Sequence, residues 1–142
     1  MSPESVTVVL PTYNESENLA DIAAAITAHG YKLLVVDDAS PDGTGPLADQ
    51  LAASNPRMSV LHRDRKEGLG PAYAAGFNEA LDAGADVLIE MDADGSHQPE
   101  YLSALVAGLA RADLCLGSRW VDGGGTVNWS RGRKFLSRSG NW

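Results

Sequence analysis

Short runs of consecutive apolar residues recur along this chain, and segments with helical spacing separate them. Residues 6–10, 33–36 and 87–91 are almost entirely β-branched or aliphatic, without the polar alternation of a half-exposed strand. Such runs are typical of strands that are buried on both faces, as in parallel sheets covered by helices. Right-handed strand–helix–strand units provide that burial. The pattern therefore predicts an α/β fold with a mainly parallel sheet flanked by helices.

Periodicity and turn residues predict the remaining elements. Leu19, Ile22, Ala23 and Ile26 share one side of a predicted helix. Pro11 is expected to end the first strand. The further predicted elements are strands at residues 59–62 and 114–117, helices at residues 17–28, 45–53, 70–83, 99–110 and 130–142, and a mobile loop at residues 121–129.

The charge of the chain is unevenly distributed. The net charge is −8, yet residues 1–110 carry 17 acids and 5 bases whereas residues 111–142 carry 2 acids and 6 bases. An acidic body with a basic end suggests that the end meets an anion, such as a phosphate group or a membrane surface. Nucleic acid is not expected as a partner, because the body is acidic and few aromatic residues accompany the bases.

Composition also indicates the compartment. No apolar run approaches the roughly 20 residues of a membrane-spanning helix, and the N-terminal residues lack the basic and apolar regions of a secretory signal. The single cysteine, Cys115, lies in an apolar run and is predicted to be a buried thiol in a reducing compartment. The sequence therefore predicts a cytoplasmic location.

Two carboxylates follow the apolar run at residues 87–91. Asp92 and Asp94 are two positions apart, so in an extended segment their side chains point to the same side with Cα atoms about 6–7 Å apart. The carboxyl end of a parallel strand is where open α/β sheets bind ligands. Hard oxygen donors suit Mg²⁺ or Mn²⁺, which usually keep coordination sites for substrate phosphates. The pair is thus a candidate metal site.

Five strings in one order cover nearly the whole chain and carry a resemblance. They are PTYNESEN at residues 11–18, VVDDASPDGT at 35–44, KEGLGPAYAAGF at 66–77, MDADGSHQPE at 91–100 and GSRWVDGGGTVNW at 117–129. Together they resemble the family 2 glycosyltransferases with the Rossmann-like GT-A fold, and most of all the polyprenol- or dolichol-phosphate mannosyltransferases. The resemblance implies a nucleotide-sugar-binding core at residues 1–119 and the start of an acceptor-binding part at 120–142. It also implies that the C-terminal remainder of the family domain is absent.

The resemblance also implies the site residues. Asp92, Asp94 and Arg119 are the expected catalytic residues. A metal, Mg²⁺ or Mn²⁺, is expected on Asp92, Asp94 and Ser96, although many relatives have glutamine at the position of Ser96. The acceptor phosphate is expected to meet Arg119, Arg133 and Ser137. The expected donor-binding residues are Pro11, Tyr13, Glu15, Val36, Asp38, Asp92, Ala93 and Asp94.

The implied reaction moves mannose from GDP-mannose to a polyprenyl or dolichyl phosphate with inversion. The acceptor phosphate is anionic near neutral pH, so positioning and charge stabilisation are expected to replace a strong general base. The resemblance places the protein at the cytoplasmic face of a membrane, through peripheral contact or a membrane-anchoring partner. UDP-glucose or another nucleotide sugar remains an alternative donor, because Tyr13, Glu15 and Asp38 do not distinguish guanine from uracil.

Functions of other classes remain open to different degrees. A non-catalytic nucleotide-binding fragment is one alternative, given the short chain. A phosphoryl-accepting receiver domain would need a lysine after the last strand, where Gly117, Ser118 and Arg119 stand. A dinucleotide dehydrogenase would need a Gly-X-Gly-X-X-Gly string after the first strand, and that string is absent from the sequence.

Overall fold

The structure is a computed structural model that describes residues 2–121, 124, 125, 130, 132 and 137. It divides into two units, Met1–Ser103 and Ala104–Trp142. The expected boundary between a donor-binding core and an acceptor-binding part, at residues 119 and 120, stays a prediction. Among the described residues, no helix is both long and apolar enough to cross a membrane.

The first unit contains a parallel sheet of four strands. The strands are β1 (Val6–Thr12), β2 (Lys32–Asp37), β3 (Met58–His62) and β4 (Val87–Glu90). Their spatial order is β3-β2-β1-β4, and every pairing is parallel. The central strands β1 and β2 are buried along nearly their whole length. The predicted α/β architecture is therefore confirmed, and the two strands with the most buried residues, β1 and β2, lie in the middle of the sheet.

The helices lie where periodicity predicts them. The α-helices are α1 (Leu19–Ala28), α2 (Thr44–Ser54), α3 (Leu69–Asp82) and α4 (Leu102–Gly108), with 3-10 turns at Pro3–Ser5 and Pro99–Tyr101. Helix α1 buries the four apolar residues that share one side of its sequence. The predicted helix at residues 99–110 is thus a 3-10 turn followed by a short α-helix.

Pro11 does not end β1, contrary to the prediction. The strand continues through Pro11 to Thr12, whose carbonyl accepts a hydrogen bond from the amide of Asp38 at 3.0 Å. The carbonyl of Val9 faces β4, where it accepts from the amide of Met91 at 3.3 Å. Backbone groups of residues two apart point to the same side of a strand, so the N–H that Pro11 lacks would also face β4. Strand β4 has ended before this position. The proline therefore costs the sheet no ladder bond.

The predicted strand at residues 114–117 is wrong. These residues form no regular element, and Leu114 and Leu116 are exposed. Cys115 is only partly buried, and its Sγ lies beside Gly108, where an added Cβ would approach it to 2.4 Å. An apolar run predicts burial, but a strand also needs a neighbouring strand to satisfy its backbone, and the described residues provide none here. The predicted loop and helix at residues 121–142 lie largely outside the described residues.

Helix α3 packs unusually close to the sheet. A Cβ added to Gly76 would lie 2.4 Å from Val9 Cγ1 and 2.8 Å from Val36 Cγ2. The buried stripe of α3 consists of Ala72, Tyr73, Gly76 and Ala80, most of them small. Small residues let the helix axis approach β1 and β2. The position of the helix then determines which groups Tyr73, the one large residue of the stripe, can contact.

We expect Gly76→Ala to destabilise the protein by about 1–3 kcal/mol, because the added methyl group overlaps two valines of β1 and β2. Gly70→Ala is the matched control in the same helix, since a Cβ there would meet nothing within 4 Å. The control should be neutral or stabilising by about 0.5 kcal/mol. Urea unfolding of both variants measures the difference. Equal stability of the two variants would contradict the close packing.

Candidate active site

A cavity of about 280 Å³ opens at the carboxyl ends of β1, β2 and β4. It lies in the first unit, at the edge where open α/β sheets bind ligands. The structure brings seven of the eight predicted donor-binding residues to its wall. They are Pro11, Tyr13, Glu15, Asp38, Asp92, Ala93 and Asp94. Their role as ligands of a nucleotide sugar stays a prediction, but their proximity is a property of the fold.

Val36 is the predicted donor-binding residue that does not line the cavity. Its side chain is fully buried in a core cluster that includes Val9, Leu34 and Tyr73. Strand β2 alternates its side chains across the sheet, and the side chain of Val36 faces α3. The side chain of Val36 therefore packs in the core.

The two adjacent aspartates after β2 have different environments. Asp37 is buried and accepts hydrogen bonds from the Thr12 hydroxyl at 3.0 Å and from the amide and hydroxyl of Ser40 at 3.1 and 2.6 Å. It therefore orients the loop that follows β2. Asp38 lines the cavity, and its Oδ1 accepts from the Arg63 guanidinium at 2.5 Å.

Arg63 is a site residue whose contact the sequence does not identify. Its side chain is only 11% exposed, and it bridges Asp38 and Glu67. The amide of Glu67 approaches Asp38 Oδ2 at 3.4 Å. A largely buried ion pair therefore holds the loop after β3 against Asp38. Removing one partner of such a pair destabilises the protein, because the other charge stays buried without compensation. The sequence shows that this loop is rich in basic residues, but the partner of each arginine depends on the fold.

The same loop places a cation over the aromatic ring of Tyr13. Lys66 Nζ lies 3.6 Å from the centroid of the Tyr13 ring, and both residues line the cavity. Tyr13 is 37% exposed, so its ring is not part of the core. The quadrupole of the ring attracts a cation placed over its face in this way. The wall of the cavity therefore offers an aromatic surface and a positive charge side by side.

Hydrogen bonds tie the loop after β1 to the loop after β2. Three consecutive backbone amides donate to side-chain oxygens of residues 40–44, and we call these contacts the loop brace. The bonds are Asn14 N to Ser40 Oγ at 3.0 Å, Glu15 N to Thr44 Oγ1 at 3.0 Å and Ser16 N to Asp42 Oδ2 at 3.1 Å. The polar string at residues 40–44 therefore holds Tyr13 and Glu15 in place.

Asp42 is the charged member of the loop brace. Besides the amide of Ser16, it accepts from the hydroxyl and the amide of Thr44, at 2.6 and 3.0 Å. The hydrogen bond from the Thr44 hydroxyl, with those from Ser16, holds the pKa of the Asp42 carboxyl well below its usual range. The carboxylate is thus charged throughout the pH range in which proteins normally work.

The candidate metal ligands lie on the segment after β4. Asp92 and Asp94 both line the cavity, separated by the buried Ala93. The hydroxyl and amide of Ser96 hydrogen-bond to Asp94, the amide at 2.9 Å, and lower the pKa of its carboxyl. In the part of the chain that the structure describes, no cluster of three His, Cys, Asp or Glu side chains forms. Two carboxylate side chains nevertheless fit a hard dication that would take its remaining ligands from phosphates and water.

Ser96 itself does not line the cavity, and its described contact is with Asp94. Its role as a direct metal ligand stays a prediction. His97 Nδ1 accepts a hydrogen bond from the amide of Asp92 at 3.0 Å. His97 therefore stabilises the turn, because the lone pair of its Nδ1 is already used in this hydrogen bond.

Tyr73 is a residue near the cavity that the sequence does not predict. Its hydroxyl donates to Asp92 Oδ1 at 2.9 Å. Burial and this hydrogen bond raise the pKa of Tyr73 far above its usual value, so the phenol keeps its proton. The signal in the sequence was a single tyrosine within a stripe of small buried residues on a helix, a place where a buried phenol needs a polar partner.

The predicted acceptor-phosphate residues belong to the second unit. Arg119 is partly buried and lies in a turn. The amide of the next residue, Trp120, donates to Ser118 Oγ at 3.2 Å. Ser137 is helical and partly buried. Arg133 lies outside the described residues. The roles of all three stay predictions.

Comparison with known proteins identifies the class. Residues 7–141 match the glycosyl transferase family 2, and the chain therefore belongs to this family. The chain is similar to a solved mannosyltransferase from Pyrobaculum calidifontis in complex with GDP-Man and Mn²⁺, with a TM-score of 0.59 and 26% identity. The match covers 78% of this chain and 35% of that protein. The likeness confirms the predicted Rossmann-like GT-A fold.

Two further relatives are more similar in sequence to this chain. The chain is 52% identical over 138 residues to an undecaprenyl-phosphate mannosyltransferase from Micrococcus luteus, across 96% of this chain and 57% of the relative. It is 53% identical over 138 residues to a polyprenol monophosphomannose synthase from Mycolicibacterium smegmatis, across 94% of this chain and 52% of the relative. The chain thus spans about half the length of these relatives.

We expect Asp42→Asn to lower the melting temperature near neutral pH, because the loop brace loses its charged acceptor. The lowered pKa means that the ionised carboxylate stabilises the folded state above the ordinary pKa of about 3.9, and that this stabilisation fades as pH falls below it. The gap between the melting temperatures of variant and parent should therefore be constant above about pH 5 and narrow toward pH 3.

Asp64→Asn is the matched control for this measurement, since Asp64 is an exposed loop residue. It should melt close to the parent at every pH. A gap for Asp42→Asn that does not change with pH would mean that shape, not charge, explains the role of Asp42.

Proposed function

We propose that the protein transfers mannose from GDP-mannose to a polyprenyl phosphate, with inversion at the anomeric carbon. The observation that carries the proposal is the cavity in which Tyr13, Asp38 and the pair Asp92 and Asp94 meet. An aromatic surface, a carboxylate and a candidate cation site are what a nucleoside, its ribose and its diphosphate require. The names of the relatives at 52% and 53% identity support mannose as the sugar and a polyprenyl phosphate as the acceptor.

The nucleoside end of the donor is assigned to the loops after β1 and β2. The base stacks against Tyr13, and Glu15 and Asp38 accept hydrogen bonds from the base or the ribose. The loop brace holds both loops before the donor arrives, so little conformational entropy is lost when it binds. Lys66, beside Tyr13, supplies positive charge on the route to the phosphates.

The diphosphate end is assigned to the segment after β4. Asp92 and Asp94 would hold Mg²⁺ or Mn²⁺, and the bound cation would stabilise the negative charge that develops on the leaving GDP. Ser96 keeps Asp94 ionised and oriented through its hydrogen bonds. The complex of the similar structure with GDP-Man and Mn²⁺ supports this assignment.

The acceptor is assigned to the basic end of the chain. An oxygen of the polyprenyl phosphate attacks the anomeric carbon, the bond from that carbon to the diphosphate breaks, and GDP leaves with the electron pair. The attacking oxygen is already anionic near neutral pH, so no general base has to remove a proton. Arg119, Arg133 and Ser137 are the proposed phosphate contacts, because guanidinium groups match phosphate geometry.

The acceptor also implies contact with a membrane, since its polyprenyl chain is lodged in lipid. We place the protein at the cytoplasmic face of the membrane. The contact is peripheral or depends on a membrane-anchoring partner, and the six bases of residues 111–142 favour an anionic lipid surface.

Calorimetric titration tests the donor. We expect this chain to bind GDP-mannose with Mn²⁺ and to bind it at least tenfold more weakly after chelation, because Asp92 and Asp94 would hold a cation that offsets the charge of the diphosphate. UDP-glucose is the matched comparison donor. Tighter binding of UDP-glucose would replace the proposed donor, and binding of GDP-mannose without transfer would favour a non-catalytic nucleotide-binding role.

Asp94→Asn tests the cation site. The variant should lose the Mn²⁺ dependence of GDP-mannose binding, because one of two carboxylate ligands becomes a neutral amide. Asp64→Asn, an exposed aspartate that does not line the cavity, should bind as the parent does. Full Mn²⁺ dependence in Asp94→Asn would remove Asp94 from the proposed site.

A further inference from the structure

Tyr73 is held rigidly by the packing of α3. It is 8% exposed and belongs to the core cluster with Val9, Val36 and Ala72. Its ring packs against that of Phe77, with the centroids 5.8 Å apart. The close approach of α3 at Gly76, three residues further along the same buried stripe, sets the height of the ring above the sheet. A side chain fixed on so many sides can fix another group in turn.

The polar end of Tyr73 is directed at Asp92. The hydroxyl lies 2.9 Å from Asp92 Oδ1. The phenol O–H donates and the carboxylate oxygen accepts. Asp92 is not covered, since its side chain remains 33% exposed and lines the cavity. The bond therefore links the rigid core of the first unit to a carboxylate at the wall of the cavity.

The second oxygen of Asp92 is in a different situation. His97 Nε2 lies 3.8 Å from Asp92 Oδ2, which is too long for a hydrogen bond. The other ring nitrogen of His97 is engaged with the Asp92 amide at 3.0 Å. Within the part of the chain that the structure describes, Oδ2 thus accepts no hydrogen bond, while Oδ1 and the backbone of the same residue are both held.

We propose that Tyr73 is a positioning residue that orients the Asp92 carboxylate so that Oδ2 is presented to a divalent cation. This inference rests on the proposed function, because it assigns a cation to Asp92 and Asp94. The string KEGLGPAYAAGF, which contains Tyr73, thereby acquires a role in cation binding, although Tyr73 itself does not touch the cation.

Loss of the phenol oxygen should weaken cation binding. Without the donor, the carboxylate of Asp92 can rotate about its side-chain torsions, and part of the binding free energy is used to order it. Groups that orient a metal ligand typically contribute 10–100-fold to metal affinity. We expect Tyr73→Phe to weaken Mn²⁺ binding about tenfold, at the lower end of that range, because the packing of the ring is kept.

Tyr31→Phe is the matched control. Tyr31 is also buried, at 6% exposed, and stacks on His29, and it does not line the cavity. Both variants remove one oxygen from a buried tyrosine, so the comparison separates the bond to Asp92 from the general effect of the substitution. Mn²⁺ titration followed by electron paramagnetic resonance, with saturating GDP, gives the metal affinity. Calorimetry with GDP after chelation gives the metal-independent nucleotide affinity.

A tenfold loss of Mn²⁺ affinity in Tyr73→Phe alone, with unchanged GDP affinity after chelation, supports the positioning role. Equal Mn²⁺ affinity in both variants and the parent overturns it and leaves the proposed function intact. Parallel losses of Mn²⁺ and GDP affinity in Tyr73→Phe also overturn it, since they indicate a general structural role. If the parent chain binds no Mn²⁺ with GDP present, the proposed function fails and the inference fails with it.

Discussion

The close approach of α3 to the sheet is the constraint on which the site depends. Gly76 leaves no room for a side chain between the helix and Val9 and Val36. Because interiors are packed to nearly crystalline density, this contact fixes the helix within a fraction of an ångström. The same helix carries Tyr73 to Asp92 and begins beside the cavity at Leu69. The packing of small apolar groups therefore determines the geometry of a polar site.

The carboxylates near the cavity divide into two kinds, and the surroundings of each decide which kind it is. Asp37 and Asp42 are saturated with donors from neighbouring loops, so they stabilise loop structure. Asp92 and Asp94 each keep part of their acceptor capacity toward the cavity. Asp38 stands between them, since it lines the cavity and is also paired with Arg63. Identical side chains thus stabilise loops at one position and keep acceptor capacity toward the cavity at another.

The sheet and the helices could be predicted because their signals are local. Runs that are apolar on both faces and helical spacing of apolar residues directly reflect burial. The prediction was wrong at residues 114–117, where an apolar run has no neighbouring strand among the described residues, and at Pro11, where the missing donor faces a strand that has ended. Both errors concern pairing, which depends on residues far away in the sequence.

Local sequence is enough to predict the strands along the chain, the polar residues at their carboxyl ends and the spacing of Asp92 and Asp94. Each of these follows from neighbouring residues. Other contacts become visible only in the folded chain. Arg63 pairs with Asp38, the loop brace joins residues 14–16 to residues 40–44, and Tyr73 donates a hydrogen bond to Asp92. These contacts join segments 19–29 residues apart. No local sequence pattern predicts these contacts, because they form only when the helices pack onto the sheet.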